Sequence, residues 1–290
     1  MITLPWFQIL SLIGLSIVTL LISLIPYAYA RFYRRGIYRT IDDAKPRKVF
    51  YCLLIFASMA TLTTSIVHVI PNGIEAMDDF RDDFSYPYVY IIIAFSWFCC
   101  WVLDTHFDKE NETIMIAHGL STIEESHYPK FTPYFLTAGL YIHSCLEGIV
   151  LGSSPIEQAT NDKDVSKYLY ILFVVLGVHK TVEAFCLGII YEAYEYEHTM
   201  VKVLFLSILA ILTSGGVVIG LLLSDVIQNY IPVIAGVLCS ICAGMFLYVG
   251  SCLLGAKITP SWGRTSARYL AALLGFLVPS AIAWLIYLDL

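Results

Sequence analysis

Apolar residues in this chain neither alternate nor keep to one helical face; they run on. Eight stretches, at roughly 4–30, 49–70, 87–106, 133–154, 168–191, 203–224, 230–254 and 268–288, stay apolar almost all round. About 20 such residues, rising 1.5 Å each, cross the ~30 Å hydrocarbon core of a bilayer. The pattern predicts an all-α, polytopic membrane protein with eight transmembrane helices. The first stretch ends in Ala28-Tyr29-Ala30, which resembles a leader cleavage site. It lacks a basic leading segment, its apolar run is long and arginines follow it directly, so it reads as a retained span.

Composition agrees. The 290 residues are 58% hydrophobic with a mean hydropathy of +0.75. Charged residues make up 14%, against about 25% in an average soluble protein. No linker separates a soluble domain, so residues 1–290 are expected to form a single integral-membrane domain, with the bilayer as partner and no nucleic acid. All eight cysteines fall in apolar spans, which argues against a disulfide framework. Cys239 and Cys242 form a C-x-x-C without a second pair, which reads as small residues in a helix.

The loops set the orientation. Loop one carries Arg31, Arg34, Arg35, Arg39, Lys45, Arg47 and Lys48; loop three Lys109 and Lys130; loop five Lys202; loop seven Lys257, Arg264 and Arg268. Even loops hold only Arg81, Lys163 and Lys167. The positive-inside rule then places odd loops in the cytoplasm and both termini outside or in a lumen. Residues 107–132 become a long cytoplasmic connection holding His118 and His127, read as solvated, with a metal-sensing role as the alternative. The sequon Asn111-Glu112-Thr113 falls there and is expected to stay unmodified.

Against this background four residues stand out. His143 and Glu147 lie at i and i+4 in span four, and His179 and Glu183 repeat the spacing in span five. Each pair shares one helix face. A charge at the centre of a span costs about 2.5–3.5 kcal/mol on lenient scales. Two glutamates and Lys180 therefore require compensation. A dication held by imidazole and carboxylate is one solution; protonated carboxyls, a Glu–Lys pair or a water-filled cavity are others. Gly148, Gly152 and Gly188 suggest close packing of the two spans. Asp104 and His106 end span three and His68 ends span two. These three read as interfacial anchors, with a subsidiary metal contact as the alternative.

The two phrases, His143-Ser144-x-x-Glu147-Gly148 and His179-Lys180-x-x-Glu183, resemble the signature helices of the ZIP (Zrt/Irt-like) divalent-metal transporter family. HVIP at 68–71, GMFLYV at 244–249 and LLGFLVPSAIAWL at 273–285 are weaker echoes. The resemblance implies eight spans in a ZIP-like bundle, termini outside, a metal site on spans four and five, and His143, Glu147, His179 and Glu183 as metal ligands. It also implies that spans one, four, five and six move as a unit against spans two, three, seven and eight, and that the protein is a homodimer. Some members hold a second adjacent ion. Its ligands would fall here on Ser144, Lys180 and a position near Thr213, and a cationic Lys180 implies a single ion instead. An acidic residue near the end of span seven is replaced by Leu253 or a neighbour.

The function expected is transport of divalent metal, Zn2+ first and Fe2+, Mn2+ or Cd2+ besides, into the cytoplasm by alternating access. No prosthetic cofactor is expected, and the plasma membrane is favoured over an organelle. The runner-up is an intramembrane zinc-dependent hydrolase, which needs an open zinc position and a general base; the chain has no H-E-x-x-H. A metal-sensing receptor is a third reading. Glu192, Glu195, Glu197 and His198 after span five read as a solvated exit loop or as acids that receive the ion.

Overall fold

The structure of the protein, a computed structural model, describes residues 6–36, 44–78, 87–117, 131–153, 162–193, 199–227, 231–255 and 265–288. The elements are α1 (Trp6–Ser23), α2 (Ile25–Gly36), α3 (Ala44–Thr64), a π-helical turn (Ser65–Val69), α4 (Ile70–Asp78), α5 (Tyr88–Ala117), α6 (Thr132–Ser153), α7 (Asp162–Ala193), α8 (Thr199–Ile227), α9 (Ile231–Gly255) and α10 (Thr265–Leu288). Among the described residues there are eight apolar segments long enough to cross a membrane. They coincide with the predicted spans except at two places, both governed by proline.

The first is span one, which breaks at Leu24 between α1 and α2. Pro26 has no N–H to donate to the preceding turn. The chain re-forms its ladder at once, with Leu24 N–H to Leu20 O at 3.2 Å and Ala28 N–H to Leu24 O at 2.9 Å. The break is seated on α7, where Gly188 lies against Ser23 O and Pro26 Cγ. The second is span two, expected to end near Pro71. It continues instead through the π-turn to Asp78, and the apolar segment runs Tyr51–Asp78. Local π geometry is one way a membrane helix accommodates proline. Ile70 N–H reaches back five residues to Ser65 O, and Ser65 Oγ donates to Ala243 O of α9 at 2.9 Å. His68 therefore sits inside the span, not at its end.

The helices pack as two groups. α6 lies most extensively on α8, and α1 lies on α7 and α8; α3 lies on α10 and α9, and α5 on α9. α6 touches α7 far less than α8, so the glycines of span four serve a different neighbour from the one expected. Gly148 faces Thr213 O and the backbone of Gly216, and Gly152 faces the backbone of Val217. Between the groups, α6 meets α9 and α3 meets α7. α5 continues to Ala117, so the predicted connection 107–132 begins in helix. His118 and His127 lie outside the described residues, as do Glu195, Glu197 and His198.

Candidate metal centre

Where α6, α7 and the π-turn meet, the four sequence-selected side chains converge. The i, i+4 spacing turns each pair to one face, and the packing of α6 on α9 and of α7 on α3 turns those faces toward one point. His143 Nε2 lies 3.2 Å from Glu147 Oε1 and 3.2 Å from Glu183 Oε1. His179 Nε2 lies 3.4 Å from Glu147 Oε1 and 3.1 Å from Glu183 Oε1. The two Nε2 atoms are 3.5 Å apart. Donors held about 2.0–2.1 Å from a tetrahedral ion stand about 3.3 Å from one another. Five of the six edges of such a shell thus have near-ideal length. Glu183 Oε1 makes no hydrogen bond despite its two imidazole neighbours. His143 is 1% exposed and Glu147, the most accessible, 15%.

A fifth donor was not among those selected. His68 Nε2 lies 3.0 Å from Glu147 Oε1. One donor atom each from His68, His143, Glu147 and His179 falls within a 4.8 Å cluster. The three imidazoles stand nearly perpendicular to one another, at 81°, 70° and 85°, with centroids 5.4, 4.7 and 5.8 Å apart. The sequence reads His68 as an interfacial anchor, with a subsidiary metal contact as the alternative, because its apolar run ends near Pro71. Its buried position depends on the π-turn, which no periodicity reveals.

Lys180 sits on the carboxylates' other side. Its Nζ donates to Glu183 Oε2 at 2.8 Å and to Ser144 Oγ at 3.1 Å, and it forms an ion pair with Glu147 Oε2. One oxygen of each glutamate thus faces the imidazoles and the other faces a fixed ammonium, 3% exposed. Thr213 is buried, and its carbonyl abuts Gly148. Leu253 is also buried.

Two expectations about flanking charges change. Lys202 lies in α8 rather than in a loop, and Glu192 is not solvated. Both are buried and paired, Nζ to Oε1, at 2.7 Å. A buried carboxylate already matched by an ammonium has lost its value as an acid waiting for an ion. All eight cysteines are unpaired.

The sequence profile of the ZIP zinc transporters matches residues 108–283, a stretch that contains all four selected residues. The chain belongs to the ZIP zinc transporter family. Among curated relatives, Zinc transporter ZIP1 of Danio rerio is 23% identical over 306 aligned residues, covering 95% of this chain and 96% of that one. Zinc transporter ZIP1 of Takifugu rubripes is 24% identical over 313, covering 96% and 97%. ZIP proteins are transporters and not enzymes, so the intramembrane hydrolase reading is set aside.

Proposed function

We propose that this protein carries Zn2+ across its membrane toward the cytoplasm, one ion at a time, with His143, Glu147, His179 and Glu183 as ligands and His68 as a fifth donor. The observation that carries this is the edge length of the donor set, 3.1–3.5 Å between the imidazole nitrogens and the carboxylate oxygens or each other. Names of the relatives support zinc as cargo. Imidazole and carboxylate also suit Fe2+, Mn2+ and Cd2+, among which geometry and availability discriminate more than affinity does. Lys180 supports a single ion, because its ammonium occupies the side of the two carboxylates where a second dication would lie.

Alternating access is supported by how the site is divided. His143, Glu147, His179 and Glu183 belong to the group built of α1, α2, α6, α7 and α8; His68 belongs to the group of α3, α4, α5, α9 and α10. An ion bound by both can be carried off by one. The remaining parts of the reading follow the same family logic: residues 1–290 as one transport domain, residues 107–132 on the cytoplasmic side, termini outside, the plasma membrane as location and a homodimer as the assembly.

The test is uptake of isotopic zinc by sealed proteoliposomes containing the purified chain, together with elemental analysis of zinc per chain. Saturable uptake and one ion per chain are expected. No uptake overturns the transport reading, and two ions per chain overturn the single-ion reading.

A further inference from the structure

The contact between the two helix groups is mostly apolar. Phe56 meets Phe185 edge-on with centroids 6.5 Å apart, and Phe246 packs against Gly139 and edge-on against His143 at 6.1 Å. At the end of α6 remote from Gly148 and Gly152 a different kind of contact crosses the boundary. Asp104, near the end of the third span and 2% exposed, accepts the Phe131 N–H on Oδ1 at 3.0 Å and the Tyr248 hydroxyl on Oδ2 at 2.6 Å. Phe131 is the residue from which α6 starts; its carbonyl accepts from Tyr134 and Phe135 at 2.9 and 3.0 Å. The first N–H groups of a helix have no partner within it, and the partial positive charge there favours a carboxylate. Rings surround the contact: Trp97 and Phe135 each stand edge-on to Tyr248, at 5.9 and 5.8 Å, and Phe131 lies 6.2 Å from Phe135. They keep water from competing for the carboxylate.

We propose that Asp104 is a positioning residue for transport: it latches the start of α6 to α5 and α9, and this latch opens and closes as the ion-carrying group moves. The inference rests on the transport reading above. Asp104 does not touch the ion. His143 lies twelve residues beyond Phe131, about 18 Å along the helix. It acts by fixing where α6 stands relative to α9. Apolar rings can slide past one another with little change in energy, whereas a buried hydrogen bond from one backbone N–H to one carboxylate oxygen is satisfied at a single register. Tyr248 holds the carboxylate in place from the side that does not move.

Two measurements test this. Hydrogen exchange of the peptide spanning 131–137 is followed in purified protein with and without Zn2+, and zinc uptake per protein molecule is measured for Asp104→Ala, Asp104→Asn and Tyr248→Phe. In the wild type, Zn2+ is expected to speed exchange of this peptide at least twofold, and Asp104→Ala is expected to exchange fast without zinc. Its maximal uptake rate is expected to fall at least threefold while the half-saturating zinc concentration stays within twofold. Asparagine keeps an acceptor for Phe131 and is expected to stay within twofold of wild type in both. Tyr248→Phe keeps the ring and is expected to fall between, which decides the matter if Asp104→Ala does not reach the membrane. Exchange indifferent to zinc, a half-saturating concentration that shifts as much as the maximal rate, or Asn behaving like Ala would overturn the latch. A wild type that moves no zinc defeats the transport reading instead, and the exchange of Asp104→Ala is still measurable in that case.

Discussion

The contacts inside each helix group and the contacts between the groups are built from different parts. Inside, glycines bring backbone against backbone. A Cβ added at Gly148 or Gly152 would strike main-chain atoms of α8; at Gly244 it would lie 2.5 Å from Ile93 O of α5, and at Gly275 2.6 Å from Phe56 O of α3. Between the groups, Gly139 of α6 meets a side chain, the ring of Phe246 in α9. Backbone contacts fix position, because nothing in them can rotate away. Side-chain contacts hold while leaving the possibility of displacement. In hydrocarbon no hydrophobic force drives helices together, so packing of this kind decides which helices act as one body.

The sharpest break in this comparison is Gly148→Leu. Gly216 Cα and Val217 N would stand 2.8 and 2.9 Å from its Cβ. Overpacking costs about 1–3 kcal/mol even where side chains can yield, and here they cannot. Loss of zinc uptake and a lower melting temperature in detergent are expected; near-normal uptake would mean that the α6–α8 contact is not rigid. Next comes the site itself, where donors come from both groups. His143→Ala is expected to abolish uptake at normal surface expression. His68→Ala, which removes the donor on the other group, is expected to raise the half-saturating zinc concentration by about 10-fold, in the range seen when supporting groups of metal sites are lost. Equal effects of the two would erase the asymmetry.

A milder break is Gly139→Ala. Its methyl would sit 2.7 Å from Phe246 Cε1, and the ring can move. Uptake is expected to slow severalfold and to recover in the double variant Gly139→Ala/Phe246→Leu, a coupling that a mutant cycle measures. The absence of recovery would show that the boundary is as fixed as the interior. The smallest effect is assigned to Gly215→Ala, where nothing lies within 4 Å. There the helix preference of alanine over glycine, roughly 0.5–1 kcal/mol, is expected to appear as a small gain in thermal stability with unchanged uptake.

Much of this was legible before the structure. Charges in apolar runs are expensive enough that His143, Glu147, His179, Glu183 and Lys180 had to have a reason, and the i, i+4 spacing showed which could share a face. The spans were legible because bilayer thickness fixes their length. What was not legible depended on tertiary choices. Gly148 and Gly152 announced a close neighbour, which the sequence reads as span five, and α8 is the one. Pro71 looked like a terminus, whereas the π-turn before it let span two continue and turned His68 inward. Lys202 and Glu192 looked like loop charges because each lies near an end of its apolar run; their pairing needs α7 and α8 side by side. Asp104 looked like an anchor for the same reason, and the partner that gives it meaning is a backbone N–H, which leaves no trace in a sequence.

Lys180 also has an electrical consequence. Metal binding requires neutral imidazoles; were they neutral in the empty site too, the two carboxylates and the ammonium would give it one net negative charge, which a bound dication would reverse to one net positive. On the alternating-access reading proposed above, loaded and empty carriers would then face the membrane potential with equal and opposite charge. Each full crossing of the field is worth about 2.3 kcal/mol per 100 mV, favouring the loaded step and the empty return alike when the interior is negative. Replacing Lys180 by methionine makes the loaded site neutral and the empty site doubly negative, so all the voltage sensitivity passes to the return. Uptake measured against an imposed potassium diffusion potential reads the difference: in the wild type voltage acts on both steps, and in the variant on the return alone.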